Sequence, residues 1–180
     1  MLGNLARAGE LVQSFKQVAV DQVSLRDRAF PVKPYLEEVI MNLQPQLKPT
    51  PHQIELTGDA DYIIHSYPGA LAQVITNLVL NSLRHGFEKD DQQGLIQLHV
   101  QESGDICKLT YRDNGIGIQA KNLERIFEPF FTTARQAGGS GLGLHLVYSL
   151  VTQRLQGEIT VSSEFGKGVQ FVISLPRALS

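Results

Sequence analysis

Asp113-Asn114-Gly115-Ile116-Gly117-Ile118 and Gly138-Gly139-Ser140-Gly141-Leu142-Gly143-Leu144 are two glycine clusters, separated by the aromatic segment Ile126-Phe127-Glu128-Pro129-Phe130-Phe131-Thr132-Thr133. Glycine lets backbone N–H groups approach an anion with no Cβ in the way. The second cluster runs into an apolar-periodic segment, whose helix would aim its positive end at that anion. The arrangement points to a phosphate-bearing ligand held under a short, aromatic-anchored cover. Neither cluster matches G-x-G-x-x-G or G-x-x-x-x-G-K-[ST], and either one alone is as readily an ordinary structural turn. Their combination, with an acidic residue heading the first, is much harder to obtain by chance.

Strand-like runs at 94–101 and 105–112, joined by the turn Glu102-Ser103-Gly104, deliver Asp113 at the end of the second. Beyond the second glycine cluster, a helix over 141–155 leads into two further strands, 158–162 and 168–175, with Phe165-Gly166-Lys167 in the turn. Upstream, Tyr67-Pro68-Gly69 opens a helix to about residue 85. Its apolar positions Leu71, Val74, Ile75, Leu78, Val79 and Leu83 leave Asn77 and Asn81 one turn apart on one face. Mid-helix asparagines are disfavoured; each alone reads as a solvated face, but flanked by leucine and valine the pair marks the wall of a polar cleft. An amide oxygen is a neutral hard ligand suited to Mg²⁺, and Arg84 and His85 lie one turn farther on.

Earlier still, 53–56 and 62–65 read as short strands separated by the turn Thr57-Gly58-Asp59. A helix over 35–47 has Pro34 in its first turn and Pro45 and Pro49 to end it. Strands arriving in hairpins with helices between them indicate an α+β two-layer sandwich. Residues 5–28 form an amphipathic helix, with Leu5, Ala8, Leu11, Val12, Phe15, Val18, Ala19 and Leu25 at helical steps. The run Ala29-Phe30-Pro31-Val32-Lys33-Pro34 punctuates the boundary like a linker. That helix either folds back on the main domain or pairs with another helix, and the linker favours pairing. The division is therefore 1–29 and 30–180.

In 180 residues with 42% hydrophobic content there is enough chain for one packed domain and an appendage. A formal net charge of −2 makes no global case for nucleic acid or an anionic membrane. The single cysteine, Cys107, excludes an internal disulfide framework and fits a reducing compartment; its alternating apolar context reads as a buried structural thiol rather than a nucleophile. No apolar run reaches the roughly 18 residues of a membrane span and no signal-peptide core is present, so the chain is expected to be soluble and cytoplasmic, which is compatible with a membrane-anchored parent. There is no internal repeat or low-complexity tract.

The set Asn77-Leu78-Val79-Leu80-Asn81-Ser82-Leu83-Arg84-His85, Asp113-Asn114-Gly115-Ile116-Gly117, Phe127-Glu128-Pro129-Phe130-Phe131 and Gly139-Ser140-Gly141-Leu142-Gly143-Leu144 resembles the N, G1, F and G2 boxes of sensor histidine kinases, in the family's order. The resemblance covers about residues 35–176. It implies the catalytic, ATP-binding domain with the Bergerat fold shared with gyrase, MutL and the heat-shock ATPase chaperones, a mixed, mostly antiparallel sheet packed against helices. The Phe-Phe-Thr-Thr lid resembles the nitrogen-regulation branch. By the same resemblance, Asp113 would accept a hydrogen bond from the adenine amino group. Such a site can reject guanine by roughly 10⁴-fold. Gly115 and Gly117 would let the backbone pass the base. Asn81 would ligate Mg²⁺ beside Asn77, and Gly139, Gly141 and Gly143, with Ser140, Leu142 and Leu144 around them, would approach the β- and γ-phosphates. Phe127 and Phe131 would anchor a lid that includes Thr132 and Thr133. Arg135 is the candidate lid cation, since Ala134 stands where related lids often carry lysine.

Water-activating relatives carry a glutamate general base where this chain has Asn77, and an amide cannot take a proton from water. Slow or absent ATP hydrolysis is expected, with phosphoryl transfer to a protein acceptor as the productive reaction. The family's phosphorylated histidine lies on the first helix of a dimeric bundle. His52, His65, His85, His99 and His145 all fall outside such a context; His65 and His99 read as sheet residues. Residues 5–28 resemble the second bundle helix, so the chain is expected to bind ATP without phosphorylating itself. The resemblance further implies a homodimeric full-length kinase and a cognate response regulator. The competing readings are an autonomous ATPase of the MutL or gyrase type, a docking module that binds ATP without catalysis, and an anti-sigma-factor kinase.

Overall fold

In the computed structural model, residues 26–87, 93–133 and 140–179 are described. They run β1 (Arg28–Pro31), α1 (Val32–Leu47), β2 (Gln53–Gly58), β3 (Ile63–Ser66), α2 (Pro68–Asn81), β4 (Leu95–Ser103), β5 (Ile106–Asp113), α3 (Ala120–Leu123), α4 (Gly143–Ser149), β6 (Glu158–Ser163) and β7 (Val169–Pro176). Both α2 and α4 continue into one wider turn with i→i+5 bonding, Ser82–Gly86 and Leu150–Arg154. The expected helix over 5–28 lies, except for its last three residues, outside the described residues.

Alternation decides the sheet. Ile96, Leu98 and Val100 of β4, Cys107, Leu109 and Tyr111 of β5, and Phe171, Ile173 and Leu175 of β7 are buried, while Gln97, His99, Lys108 and Arg112 between them are exposed. A period of two places each buried set on one face. Leu36, Val39 and Leu43 of α1, Leu71, Ile75 and Leu78 of α2, and Val147, Val151 and Leu155 around α4 share that core. The five-stranded sheet has the order β2-β4-β5-β7-β6; only β2–β4 is parallel. This is the expected two-layer α+β sandwich. No helix among the described residues is long and apolar enough to cross a membrane. Cys107 is fully buried, as expected, and burial pushes its thiol up to about 12, so it stays a protonated packing residue.

One local reading is corrected. Residues 29–34 are not a linker: β1 pairs antiparallel with β3, and Phe30 is buried edge-on against Tyr35. Pro31, which has no N–H to donate, is tolerated because it ends an edge strand of a two-stranded sheet. α1 ends at Leu47 as expected, with Pro45 in its last turn, which buried Leu43 and Leu47 on either side hold against the core. The strands flanking Thr57-Gly58-Asp59 do not pair with each other. At Gly58 the chain leaves β2, held by Asp59 N donating to Val100 O and Glu102 N donating to Asp59 Oδ2. It then enters the other sheet as β3.

Candidate functional site

On β5 the inward-facing series Cys107, Leu109, Tyr111 ends at Asp113, 3% exposed. Its charge is met by dipoles. Ser82 Oγ donates to Oδ2 at 2.5 Å, and the Gly115 and Val169 backbone N–H groups donate to Oδ1 at 3.0 and 3.2 Å. A carboxylate offers about four lone-pair directions; these three donors leave one, on Oδ2. Ser82 also meets Tyr111 Oη at 2.6 Å, and that phenol's one proton is shared with Leu78 O at 3.1 Å. Burial holds the Tyr111 phenol well above its usual range, so it remains a donor at any physiological pH.

The first glycine cluster leaves β5 clamped on both sides. Asn114 N donates to Leu95 O and its Oδ1 accepts from Leu95 N, while Ile116 N donates to Gly86 O at 2.9 Å. A Cβ on Gly115 would lie 2.5 Å from Gly86 O, so glycine is required there for the close approach to the wide turn after α2. Gly117 sits against the β6–β7 turn, where Ile118 N donates to Ser163 Oγ and Gly166 N donates to Ile116 O.

α2 carries the other half. Asn77 and Asn81 are half-buried, and Gly143, the first residue of α4, lies beside them: a Cβ there would stand 3.4 Å from Asn81 Oδ1 and 3.7 Å from Asn77 Oδ1. Asn77 Nδ2 donates to Gln73 O, which turns its amide oxygen away from its own helix. Gly141 has φ +68° and its Cβ would fall 2.5 Å from the Phe130 carbonyl carbon. Phe130 itself holds φ 65°, a left-handed conformation that costs a bulky residue roughly 1–2 kcal/mol. Two left-handed residues from the aromatic segment and the second cluster thus meet back to back. Phe127 is anchored against Tyr148 and Phe171, and its carbonyl accepts from His145 Nδ1 at 3.0 Å; the Arg125 guanidinium covers the Phe131 ring. Arg84 is exposed and His85 half-buried in the turn after Asn81, Thr132 is half-buried, and Thr133 and Ser140 are exposed.

Residues 67–179 match the family described as histidine kinase-, DNA gyrase B- and HSP90-like ATPase. The chain belongs to that family. The ATPase-family relatives it resembles in sequence are sensor histidine kinases. RcsC of Escherichia coli (strain K12) is 31% identical over 171 residues, 92% of this chain and 17% of the relative. ZraS of Escherichia coli (strain K12) is 42% identical over 113 residues, 63% of this chain and 23% of the relative. The chain therefore spans less than a quarter of the length of these two relatives. In structure it is similar to the catalytic domain of histidine kinase ThkA, with a TM-score of 0.72 at 22% identity over 86% of this chain and 97% of that one. A second ThkA structure, in complex with response regulator protein TrrA, has a TM-score of 0.72 at 19% identity over 94% of this chain and 49% of that one. At these identities the structural likeness concerns the fold.

Within this ATPase domain, α2 brings the expected residues together, presenting Asn77 and Asn81 to Gly143 and, through Ser82, holding Asp113. Arg135 and Gly139 lie outside the described residues. His65 and His99 stand on β3 and β4, as expected, and His145 lies on α4. Sequence reasoning missed Ser82, Tyr111 and Gly86. The sequence placed the first two near the site, Ser82 directly after Asn81 and Tyr111 on the same strand face as Asp113, but carried no signal that they meet Asp113.

Proposed function

We propose that this chain is the ATP-binding catalytic domain of a sensor histidine kinase, which binds Mg-ATP and transfers the γ-phosphoryl group to a histidine on a dimerisation helix outside this chain. The observation that carries the reading is the double use of α2. Ser82, in the wider turn that continues it, holds the buried Asp113 carboxylate, and Asn81 directly before it, with Asn77 one turn back, faces the glycine that opens α4. A purine amino group fits the remaining Oδ2 direction of Asp113, whereas a carbonyl there would face it lone pair to lone pair.

The donor set fits Mg²⁺ held jointly with the nucleotide. Among the described residues no three His, Cys, Asp or Glu side chains cluster to hold a metal, so the protein's contribution would be the neutral Asn81 Oδ1, the rest of the shell coming from phosphate and water. Bound there, Mg²⁺ would neutralise charge on the phosphates. Asn77 offers no base for water, so the domain positions ATP rather than hydrolysing it. Gly141, Gly143 and the N–H groups at the start of α4 would receive the phosphate oxygens. Arg84, His85 and Arg135 are the proposed cations at that end, with Phe127, Phe131, Thr132 and Thr133 carrying the lid.

Residues ahead of the Arg28–Pro31 strand are proposed as the second helix of the dimerisation bundle, with the catalytic domain following, and the proposed partners are the histidine-bearing helix and a response regulator. The parent kinase is proposed to be homodimeric and to keep this domain in the cytoplasm. Calorimetric titration with Mg-ATP and Mg-GTP tests the reading. Saturable binding of ATP alone, followed by acid-labile phosphohistidine once a family phospho-acceptor helix is supplied, is the expected result. A folded chain that ignores ATP, or one that turns it over rapidly by itself, rejects it.

A further inference from the structure

Tyr111, Ser82 and Asp113 form a line of three buried polar side chains running from the sheet floor to the base end of the cleft, with exposures of 0%, 3% and 3%. The proton directions follow from valence. Asp113 Oδ2 accepts from Ser82 Oγ, which spends the only proton serine has. The 2.6 Å contact between Ser82 Oγ and Tyr111 Oη therefore needs the phenolic proton, leaving Leu78 O, at 3.1 Å, a minor share of it. Leu78 O also accepts the Ser82 backbone N–H, so that carbonyl does not depend on the phenol. Ser82 Oγ, held by the phenol, is the side-chain donor to Oδ2, and with the Gly115 and Val169 N–H groups on Oδ1 it orients the carboxylate.

We propose that Ser82 and Tyr111 are positioning residues for base specificity. The relay Tyr111 O–H to Ser82 Oγ–H to Asp113 Oδ2 occupies one Oδ2 direction and fixes the carboxylate plane, so that the remaining direction accepts one hydrogen bond from an exocyclic purine amino group. The relay starts at the residue after Asn81, where the i→i+4 ladder of α2 gives way to the wider turn closed by Phe87 N donating to Ser82 O. One turn of backbone therefore sets both the base acceptor and the phosphate-side amide. The inference rests on the nucleotide-binding reading above and adds to it what holds the acceptor in place.

The test compares Kd for ATP, for purine riboside triphosphate, which lacks the 6-amino group, and for inosine triphosphate, using the whole chain as wild type, Ser82→Ala and Tyr111→Phe. Wild type is measured first and is expected to prefer ATP by about 100-fold or more. In Ser82→Ala that ratio is expected to fall about tenfold, and in Tyr111→Phe about threefold, as one or two links of the relay are lost. A purely structural role would weaken all three nucleotides alike and leave the ratio untouched. Wild-type discrimination with both variants within twofold of the wild-type ratio overturns the relay while sparing the nucleotide site. Absence of ATP binding in wild type overturns the site itself and the relay with it. If Ser82→Ala does not fold, the ratio in Tyr111→Phe, which keeps the ring and its packing, decides alone.

Discussion

The two ends of the proposed nucleotide site are built on opposite principles, one on the turn after α2 and the other on the aromatic segment and the second glycine cluster. At the base end, Asp113, Ser82 and Tyr111 are at most 3% exposed and their hydrogen bonds come from backbone groups or from another buried side chain. At the phosphate end, Phe130 is 59% exposed in a left-handed conformation and meets the left-handed Gly141, with Ser140 and Thr133 open to solvent. A rigid, desolvated acceptor suits discrimination, because misplacing one hydrogen-bonding group by a fraction of an ångström forfeits it. A strained and exposed hinge suits a cover that must admit and release its ligand. One nucleotide would be read by preorganisation at one end and by adaptable backbone at the other.

Asp113→Asn should break the comparison most severely. The new amide nitrogen faces donors from Ser82, Gly115 or Val169, at a cost of about 2–4 kcal/mol in stability, together with loss of nucleotide affinity of about 100-fold or more; thermal unfolding and calorimetry read the two effects. Gly141→Ala should separate the ends. Its Cβ meets the Phe130 backbone at 2.5 Å with φ +68°. Phosphate affinity should fall about tenfold for a strain of about 1–2 kcal/mol, while the ATP-to-purine-riboside preference stays at the wild-type value. A changed preference would mean that the two ends are not independent.

Phe130→Gly should relieve the left-handed strain and raise stability by up to about 1 kcal/mol, the gain limited by the greater entropy of glycine in the unfolded chain. Unchanged or lower thermal stability would show the strain to be compensated by packing.

The smallest effect concerns the sheet beneath the base end. Burial holds the Cys107 thiol at about 12 against an ordinary 9.0. The folded chain therefore keeps a proton that the unfolded chain releases. The resulting stability is full below pH 9 and is lost as pH rises toward 12. In Cys107→Ala the first part of that alkaline decline in thermal stability should flatten; an identical slope would mean that other groups govern it.

Much of this was legible in advance because local chemistry speaks through spacing. Asn77 and Asn81 fall one helical turn apart, Asp113 ends an alternating strand, and Gly115, Gly117 and Gly141 sit where later contacts would forbid a Cβ. What misled was equally local. Proline at 31 and 34 read as a linker, because a propensity says nothing of the partner strand that overrides it. The strands expected at 53–56 and 62–65 were located by their residue pattern, which does not name their partners. The actual partner of the first, β4, begins 37 residues beyond its end, at Leu95 after Gly58.

By itself the sequence determined the two-layer architecture and the boxes that line the cleft, since both depend on periodicities of two and 3.6 and on residue types that cannot be exchanged without losing a donor, an acceptor or a tolerated φ. Only the tertiary structure decided that Ser82 and Tyr111 belong to the base end. Their meeting with Asp113 joins residues 29 and 31 positions apart across a helix–sheet interface, and no local pattern encodes which hydroxyl a buried carboxylate will find when two layers close on each other.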